Sequence, residues 1–204
     1  VAYAWNHRKV TMGGRALPGC EPDTNACRVI FSEADGMPGL IVDRYEHVLV
    51  AQVGTVGMEL LRPTIYPLLL QTLQADGQDV RCVYERNDSP ARAKEGLPQT
   101  KGWWDGEGAE VPESARIKVV ENGLVFDLDI ENSQKTGFFL DQKYNRRAVR
   151  QIAGGRRVLD CFCHVGPFGL NAAAGGADFV RCVDVSQTAI DLAAENARLN
   201  GLDG

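Results

Sequence analysis

The pattern of apolar and polar positions predicts two styles of structure along the chain. Three short apolar runs, Arg28-Val-Ile-Phe31, Leu40-Ile-Val42 and Val48-Leu-Val-Ala-Gln-Val53, read as strands. Asp35-Gly-Met-Pro-Gly39 has turn chemistry, and the polar stretch 43–47 separates the second run from the third. Residues 57–75 carry Leu60, Leu61, Ile65, Leu68, Leu69, Leu70 and Leu73 at helical spacing. Pro63 and Pro67 conflict with that helix, which must start near Pro63 or kink. Residues 79–85 read as a strand, 86–96 as a polar loop, and 97–114, rich in Gly, Trp and acids, as loop. Ahead of all this, residues 1–9 look like a helix tail, followed by a loop through Gly13-Gly14, Pro18 and Gly19.

The clearest hairpin lies over Arg116 to Ile130, where two alternating runs flank Asn122-Gly123, the dipeptide suited to a type I′ turn. A loop over 131–140 leads to a helix over 141–153 that ends at Gly154-Gly155. Arg157-Val-Leu-Asp160 then reads as a short strand and Cys161 to Gly169 as a loop, with Pro167 suited to a first helical turn. Phe179-Val-Arg-Cys-Val183 is a second apolar strand. Ser186 is a good cap for a helix over 188–200. This β-loop-α-β-α order is the first half of a doubly wound parallel sheet, whose strands are expected to be buried on both faces. The fold class is therefore α/β. The expected organisation is a helix tail and linker at 1–25, a smaller α+β domain at 26–115, and a hairpin plus half of a Rossmann-like domain at 116–204.

Composition changes this picture little. The 204 residues are 44% hydrophobic and 24% charged, which excludes a disordered or fibrous chain. No apolar run approaches membrane-spanning length, and no apolar stretch follows Arg8 and Lys9 as a signal peptide would require. Lys and Arg total 22 against 27 acids, so a global basic field is absent. Residues 143–157 nonetheless hold Lys143, Arg146, Arg147, Arg150, Arg156 and Arg157 with no acid, a local basic face. Six cysteines without a C-x-x-C pair indicate reduced thiols in a cytoplasm, and Cys161, Cys163 and His164 are too few to predict zinc. No metal is expected.

In such a sheet the loop leaving the first strand lies where nucleotides bind. Gly166 would let a ligand approach the backbone, and Asp184, at the end of the next strand, could accept hydrogen bonds from both ribose hydroxyls. An adenosine-containing ligand follows. A dinucleotide wants G-x-G-x-x-G, whereas His164-Val-Gly166-Pro-Phe-Gly169 has His at the first glycine and Pro167 removing an amide. S-adenosylmethionine carries no phosphate and tolerates this loop, and Asp160, Phe162 and Phe168 could surround its sulfonium. A methyl donor, a dinucleotide and a ligand-free half sheet all remain open on these residues, the first favoured.

Several blocks resemble a known family. Val158-Leu-Asp160-Cys-Phe162, Gly166-Pro-Phe168, Val183-Asp184-Val-Ser186, Ala189, Ala193, Asn196 and Asn200-Gly-Leu202 look like the first half of a class I methyltransferase. Gln134-Lys-Thr-Gly-Phe-Phe-Leu-Asp-Gln-Lys-Tyr-Asn-Arg146 resembles a signature segment of the bacterial large-subunit ribosomal RNA (cytosine-C5) methyltransferases, with Lys143 where Arg is usual. Phe31 to Tyr45, Tyr84-Glu-Arg-Asn-Asp88 and Lys94-Glu-Gly-Leu97 are similar to the same family, so the resemblance covers about residues 26–204.

The resemblance implies S-adenosyl-L-methionine as cofactor, bound by Asp160, Phe162, Gly166, Phe168, Asp184 and Ser186, with Phe138, Gln142 and Arg146 on a segment that covers it. It implies large-subunit ribosomal RNA as substrate, and Arg86, Arg92, Lys94, Lys143 and Arg147 are the candidate phosphate contacts. Cytosine C5 methylation needs a thiolate adding at C6 and a proton-transfer partner. In relatives the Asp-Pro-Pro loop and nucleophilic Cys lie downstream, so both are expected beyond Gly204 and the 204-residue stretch alone is expected to be inactive. A cytoplasmic location, no membrane partner and a homodimer complete the expectations. The competing readings are a noncatalytic RNA-associated module and a nicotinamide- or flavin-dependent oxidoreductase.

Overall fold

The computed structural model describes residues 1–11, 23–133 and 136–203. The expected loop through Gly13, Gly14, Pro18 and Gly19, together with Gln134 and Lys135 of the signature segment, lies outside the described residues. The chain forms two compact units: Val1–Ile117 with Asp129–Phe138, and Lys118–Leu128 with Phe139–Gly204.

The first unit is a five-stranded sheet in the order β1-β2-β3-β4-β5, formed by Ala26–Phe31, Leu40–Tyr45, Val48–Val53, Cys82–Asn87 and Thr100–Trp103. All neighbours pair antiparallel except β3 and β4. That parallel pair needs a crossover, which the helix α2 (Val56–Ala75) supplies, following α1 (Ala2–Thr11) in the chain. Thr55 caps α2 by accepting the Met58 N–H.

The helix runs unbroken through Pro63 and Pro67. Each proline removes one helical donor, but Ile65, Tyr66, Leu69, Leu70 and Leu73 are buried along one side. That burial, rather than local propensity, holds the helix. They pack with Trp5 of α1 and with Val29, Ile30, Leu40, Val42, Leu49, Ala51, Val53, Val80 and Val83 into one core.

Two further local readings change. The polar stretch after Val42 is strand, because β2 continues to Tyr45 and turns only at Glu46, whose φ is +53°. A fifth strand, β5, lies in the region expected to be loop. It pairs with β4, Tyr84 facing Trp103 with edge-to-face rings 4.9 Å apart.

In the second unit, β6 (Arg116–Glu121) and β7 (Leu124–Asp129) form the expected hairpin; its outermost residues belong to the first unit. Asn122 and Gly123 both take positive φ, +53° and +75°, as the type I′ turn requires. After the short helix α3 (Ala91–Lys94) of the first unit, the next helix is α4 (Lys143–Ile152). Beyond it β8 (Arg157–Cys161), α5 (Pro167–Ala174), β9 (Phe179–Val183) and α6 (Gln187–Leu199) follow in the expected order, β8 and β9 parallel.

Asn196 of α6 and Asn200, the residue after it, serve the free edge of β7, accepting the Asp127 and Val125 N–H groups at 2.7 and 2.8 Å. Gly169 sets the depth of α5 on the sheet, since a Cβ there would stand 2.4 Å from Cys182 Sγ and 3.3 Å from both Asp160 Oδ2 and a Val180 methyl carbon.

The expected burial of β8 and β9 on both faces is met on one face among the described residues. Residues of β8 and β9 alternate between half-buried and exposed, and Leu159 is 62% exposed. Only the face turned to α5 is covered by described residues.

Arg92 shows how the first unit uses its charges. It is 1% exposed, donating to the Val53 and Pro98 carbonyls and pairing with Glu59. Removing it strands buried acceptors and leaves Glu59 with Arg62 as its remaining ion-pair partner. Arg92→Ala should therefore cost about 3 kcal/mol in urea unfolding, with an unchanged denaturant slope. A loss below about 0.5 kcal/mol, the surface-residue range, would contradict this role.

Candidate methyl-donor site

The site forms where β8 and β9 end side by side. Cys161 lies opposite Val183, which puts Asp160 and Asp184 near the same sheet edge. From Cys161 the backbone turns sharply, with positive φ at Phe162 (+61°), His164 (+51°) and Gly166 (+82°). Such values cost a residue with a Cβ about 1–3 kcal/mol and persist only where surroundings enforce them.

The enforcing contacts are visible. The Asp184 carboxylate accepts the His164 N–H at 2.9 Å through one oxygen and the Ser186 N–H at 2.9 Å through the other. Cys163 N–H donates to the Val183 carbonyl at 3.1 Å. Asn196 Nδ2 donates to the Val165 carbonyl at 3.2 Å. Gly166 then caps the start of α5; a Cβ at Gly166 would lie 3.1 Å from the Ala193 Cβ.

Electrostatics separate the two acids. The Ser186 and His164 amides hold Asp184 below the usual carboxylate range. Burial pushes Asp160 up, opposed by the Gly169 N–H that it accepts at 2.8 Å. The edge thus presents a firmly ionised carboxylate beside a less acidic one. Burial pushes the Cys163 thiol up to about 12 and also raises Cys182, so neither is primed as a thiolate. Burial lowers His164, whose ring stands edge-to-face against Phe139 with centroids 5.8 Å apart.

The structure brings Asp160, Phe162, Gly166, Asp184 and Ser186 to this edge. Phe162 is 89% exposed, an open aromatic face. Phe168 sits half-buried in the first turn of α5. Ser186 caps α6, accepting the Ala189 N–H at 3.3 Å, so its hydroxyl is committed to the helix rather than to a ligand. Gln142 closes the 3-10 turn Leu140–Gln142, and its amide groups bond Asp141 and Asn145.

Other expectations are corrected. Phe138 is a buried core residue of the first unit, with no surface to offer a ligand. Arg146 is 1% exposed and forms a two-pronged ion pair with Glu121, at 2.6 and 2.8 Å, while also donating to the Phe139 carbonyl. Its guanidinium lies 5.8 Å from the Phe168 ring centre. Arg146 is therefore a post behind the site. Glu121 was missed; the signal was a basic segment with no acid of its own, which obliges a buried cation to find its partner elsewhere.

Arg86 and Arg92 are likewise withdrawn as phosphate contacts. Arg92 is spent as described, and Arg86 is buried, donating to the Ile130 and Ser133 carbonyls and pairing with Asp88. Lys94 is exposed, and Lys143 and Arg147 lie on α4, Arg147 exposed. Among the described residues no group of His, Cys, Asp and Glu is placed to hold a metal ion, and no helix is long and apolar enough to cross a membrane.

The geometry fits an adenosine-bearing ligand. Asp184 stands at a strand end for ribose hydroxyls, the loop backbone is close-turned at Gly166, and Phe162 is open. A pyrophosphate fits less well, because Pro167 is the first residue of α5 and has no N–H to offer.

Comparison with known proteins agrees with this class. Residues 61–204 match the family model described as S-adenosylmethionine-dependent methyltransferase. The chain is 44% identical over 176 residues to the ribosomal RNA large subunit methyltransferase I of Aeromonas salmonicida, covering 86% of this chain and 42% of that protein. Among solved structures, a Streptococcus mutans chain described as a SAM-dependent methyltransferase superposes with a TM-score of 0.77 at 22% identity, over 99% of this chain and 48% of that one. A methyltransferase complexed with SAH, SMU.776, gives a TM-score of 0.76 at 22% identity, over 98% and 47%. The fold is the α/β fold of these methyltransferase structures. The chain belongs to the S-adenosylmethionine-dependent methyltransferase family, and it spans about two-fifths of the length of the curated relatives it matches.

Truncating Arg146 would leave Glu121 buried and charged without a partner. Arg146→Ala is expected to lower unfolding free energy by about 3–5 kcal/mol in chemical denaturation. A change under about 1 kcal/mol would show that the pair does not hold this unit together.

Proposed function

We propose that this chain is the methyl-donor-binding part of an enzyme that methylates large-subunit ribosomal RNA. The observation that carries the reading is the Asp184 carboxylate, fixed by the His164 and Ser186 amides at the end of β9 beside a tightly turned loop. Bound S-adenosylmethionine would supply an electrophilic methyl group on a sulfonium. Asp184 would hold the ribose, Gly166 would admit the ligand close to the backbone, and Phe162 would cover an aromatic face of it. Asp160 would add negative potential toward the sulfonium. The relatives' names give the substrate class, and the signature segment supports cytosine C5 as the target. Activity in the cytoplasm, where ribosomal RNA is assembled in bacteria, follows from that substrate.

The RNA surface in this proposal is narrower than the sequence suggested. Arg147 and Tyr144 are exposed on α4, and the Lys143 ammonium lies 5.5 Å from the Tyr144 ring centre. A cation beside an exposed aromatic ring can bind a phosphate and stack a base. Lys94, exposed at the end of α3, is a separate phosphate candidate.

The complete gene product, given methyl-labelled S-adenosylmethionine and unmodified large-subunit ribosomal RNA, should transfer label to RNA as 5-methylcytosine. Tyr144→Ala combined with Arg147→Glu should raise the RNA KM about tenfold and flatten its salt dependence, leaving the donor KM unchanged. Label appearing in protein but not in RNA would overturn the substrate assignment.

A further inference from the structure

His164 enters the donor site described above only through its backbone. It stands where a G-x-G-x-x-G loop has its first glycine, and it holds φ at +51°. A residue with a Cβ is costly there, whereas glycine would take the same turn without strain. The bond to Asp184 uses the backbone N–H, which glycine also has. The imidazole is therefore an addition that the turn itself does not require.

The surroundings of the ring decide which nitrogen carries its proton. The ring is half-buried, and Nδ1 is enclosed with no hydrogen-bond partner, whereas Nε2 is not enclosed. An enclosed N–H without an acceptor is costlier than an enclosed lone pair, so Nδ1 is bare and the proton sits on Nε2. Burial lowers the His164 pKa against the opposing pull of Asp184, so the ring is neutral at neutral pH. His164 thus offers a single N–H donor and adds no positive charge beside a sulfonium.

A methyl donor needs such a group. S-adenosylmethionine ends in an amino acid, whose carboxylate has to be met by N–H donors. Asp160 and Asp184 suit a sulfonium and a ribose but repel a carboxylate. The amides of the loop are largely spent: Cys163 on the Val183 carbonyl, His164 on Asp184, Gly166 on the Cys163 carbonyl at 2.8 Å, and Gly169 on Asp160. Pro167 has no amide to offer. Arg146, the cation behind Phe168, is held by Glu121. From Cys161 to Gly169, His164 is the only residue whose side chain bears an N–H. We propose that His164 is a donor-binding residue whose Nε2–H bonds the carboxylate of S-adenosylmethionine. This rests on the donor-site reading above, and every residue it uses lies in the second unit.

The test is calorimetric binding of S-adenosylmethionine, and of its decarboxylated form, to the complete gene product and two variants. His164→Phe keeps a ring and deletes the N–H. His164→Gly removes the imidazole and relieves the backbone, and it serves if His164→Phe does not fold. Each variant should bind S-adenosylmethionine about tenfold more weakly than the wild type and the decarboxylated form within about twofold of it, as loss of one hydrogen bond to a charged group implies. A general distortion of the site would weaken both ligands alike. Equal losses for the two ligands, or unchanged affinity for S-adenosylmethionine in a folded variant, would overturn the inference. Nitrogen NMR of the ligand-free protein should find the His164 proton on Nε2, and a proton on Nδ1 would overturn the inference as well. A wild-type protein that binds neither ligand would instead overturn the donor-site reading itself.

Discussion

One carboxylate organises the candidate site. Asp184 accepts N–H groups from the loop after β8 and from the turn after β9, so His164 and Ser186, 22 residues apart in sequence, meet on a single side chain. Those bonds act with the Cys163 N–H to the Val183 carbonyl and Asn196 to the Val165 carbonyl to hold the left-handed residues Phe162 and His164 in a costly conformation. The amides keep the acid ionised, and the ionised acid keeps the loop turned. Parallel pairing of β8 with β9 puts Asp184 beside the loop, and the close seat of α5 on the sheet, allowed by Gly169, brings the Gly169 N–H to the Asp160 carboxylate.

Each unit spends cations inward. Arg146 sits behind Phe168 and pairs with Glu121, while Arg86 and Arg92 close the first unit on its own carbonyls. These arginines act as structural posts, because a guanidinium has enough donors to satisfy a carboxylate and carbonyls together. The surface for an anionic partner is correspondingly small, in keeping with a net charge of −5.

What was legible in the sequence was local. Asn122-Gly123 determines its own turn through the φ values it tolerates, and the β8-to-α6 order follows from short apolar runs and a Ser cap. Asp160, Gly166 and Asp184 were legible because strand ends in a parallel sheet share an edge. The rest depends on tertiary partners that periodicity does not encode. Pro63 and Pro67 stay in a helix because five buried side chains outweigh them. The strand β5 forms because β4 offers it an edge. Arg92 and Arg146 carry the same charge as Arg147, and only the position of Glu59, Glu121 and nearby carbonyls decides which are buried. Ser186 was placed correctly at the edge, yet its hydroxyl serves α6.

The central claim is that Asp184 binds the ribose of a methyl donor as well as shaping the loop. Calorimetric titration of S-adenosylhomocysteine into the complete gene product, its Asp184→Ala variant and its Ser186→Ala variant tests this most directly. Loss of the charge-assisted bonds at Asp184 should weaken binding by roughly 10- to 150-fold, from about 1.5–3 kcal/mol. Ser186→Ala should cost about 1 kcal/mol of stability and leave affinity within twofold, since it removes only a helix cap. Equal affinity in all three proteins would contradict the account.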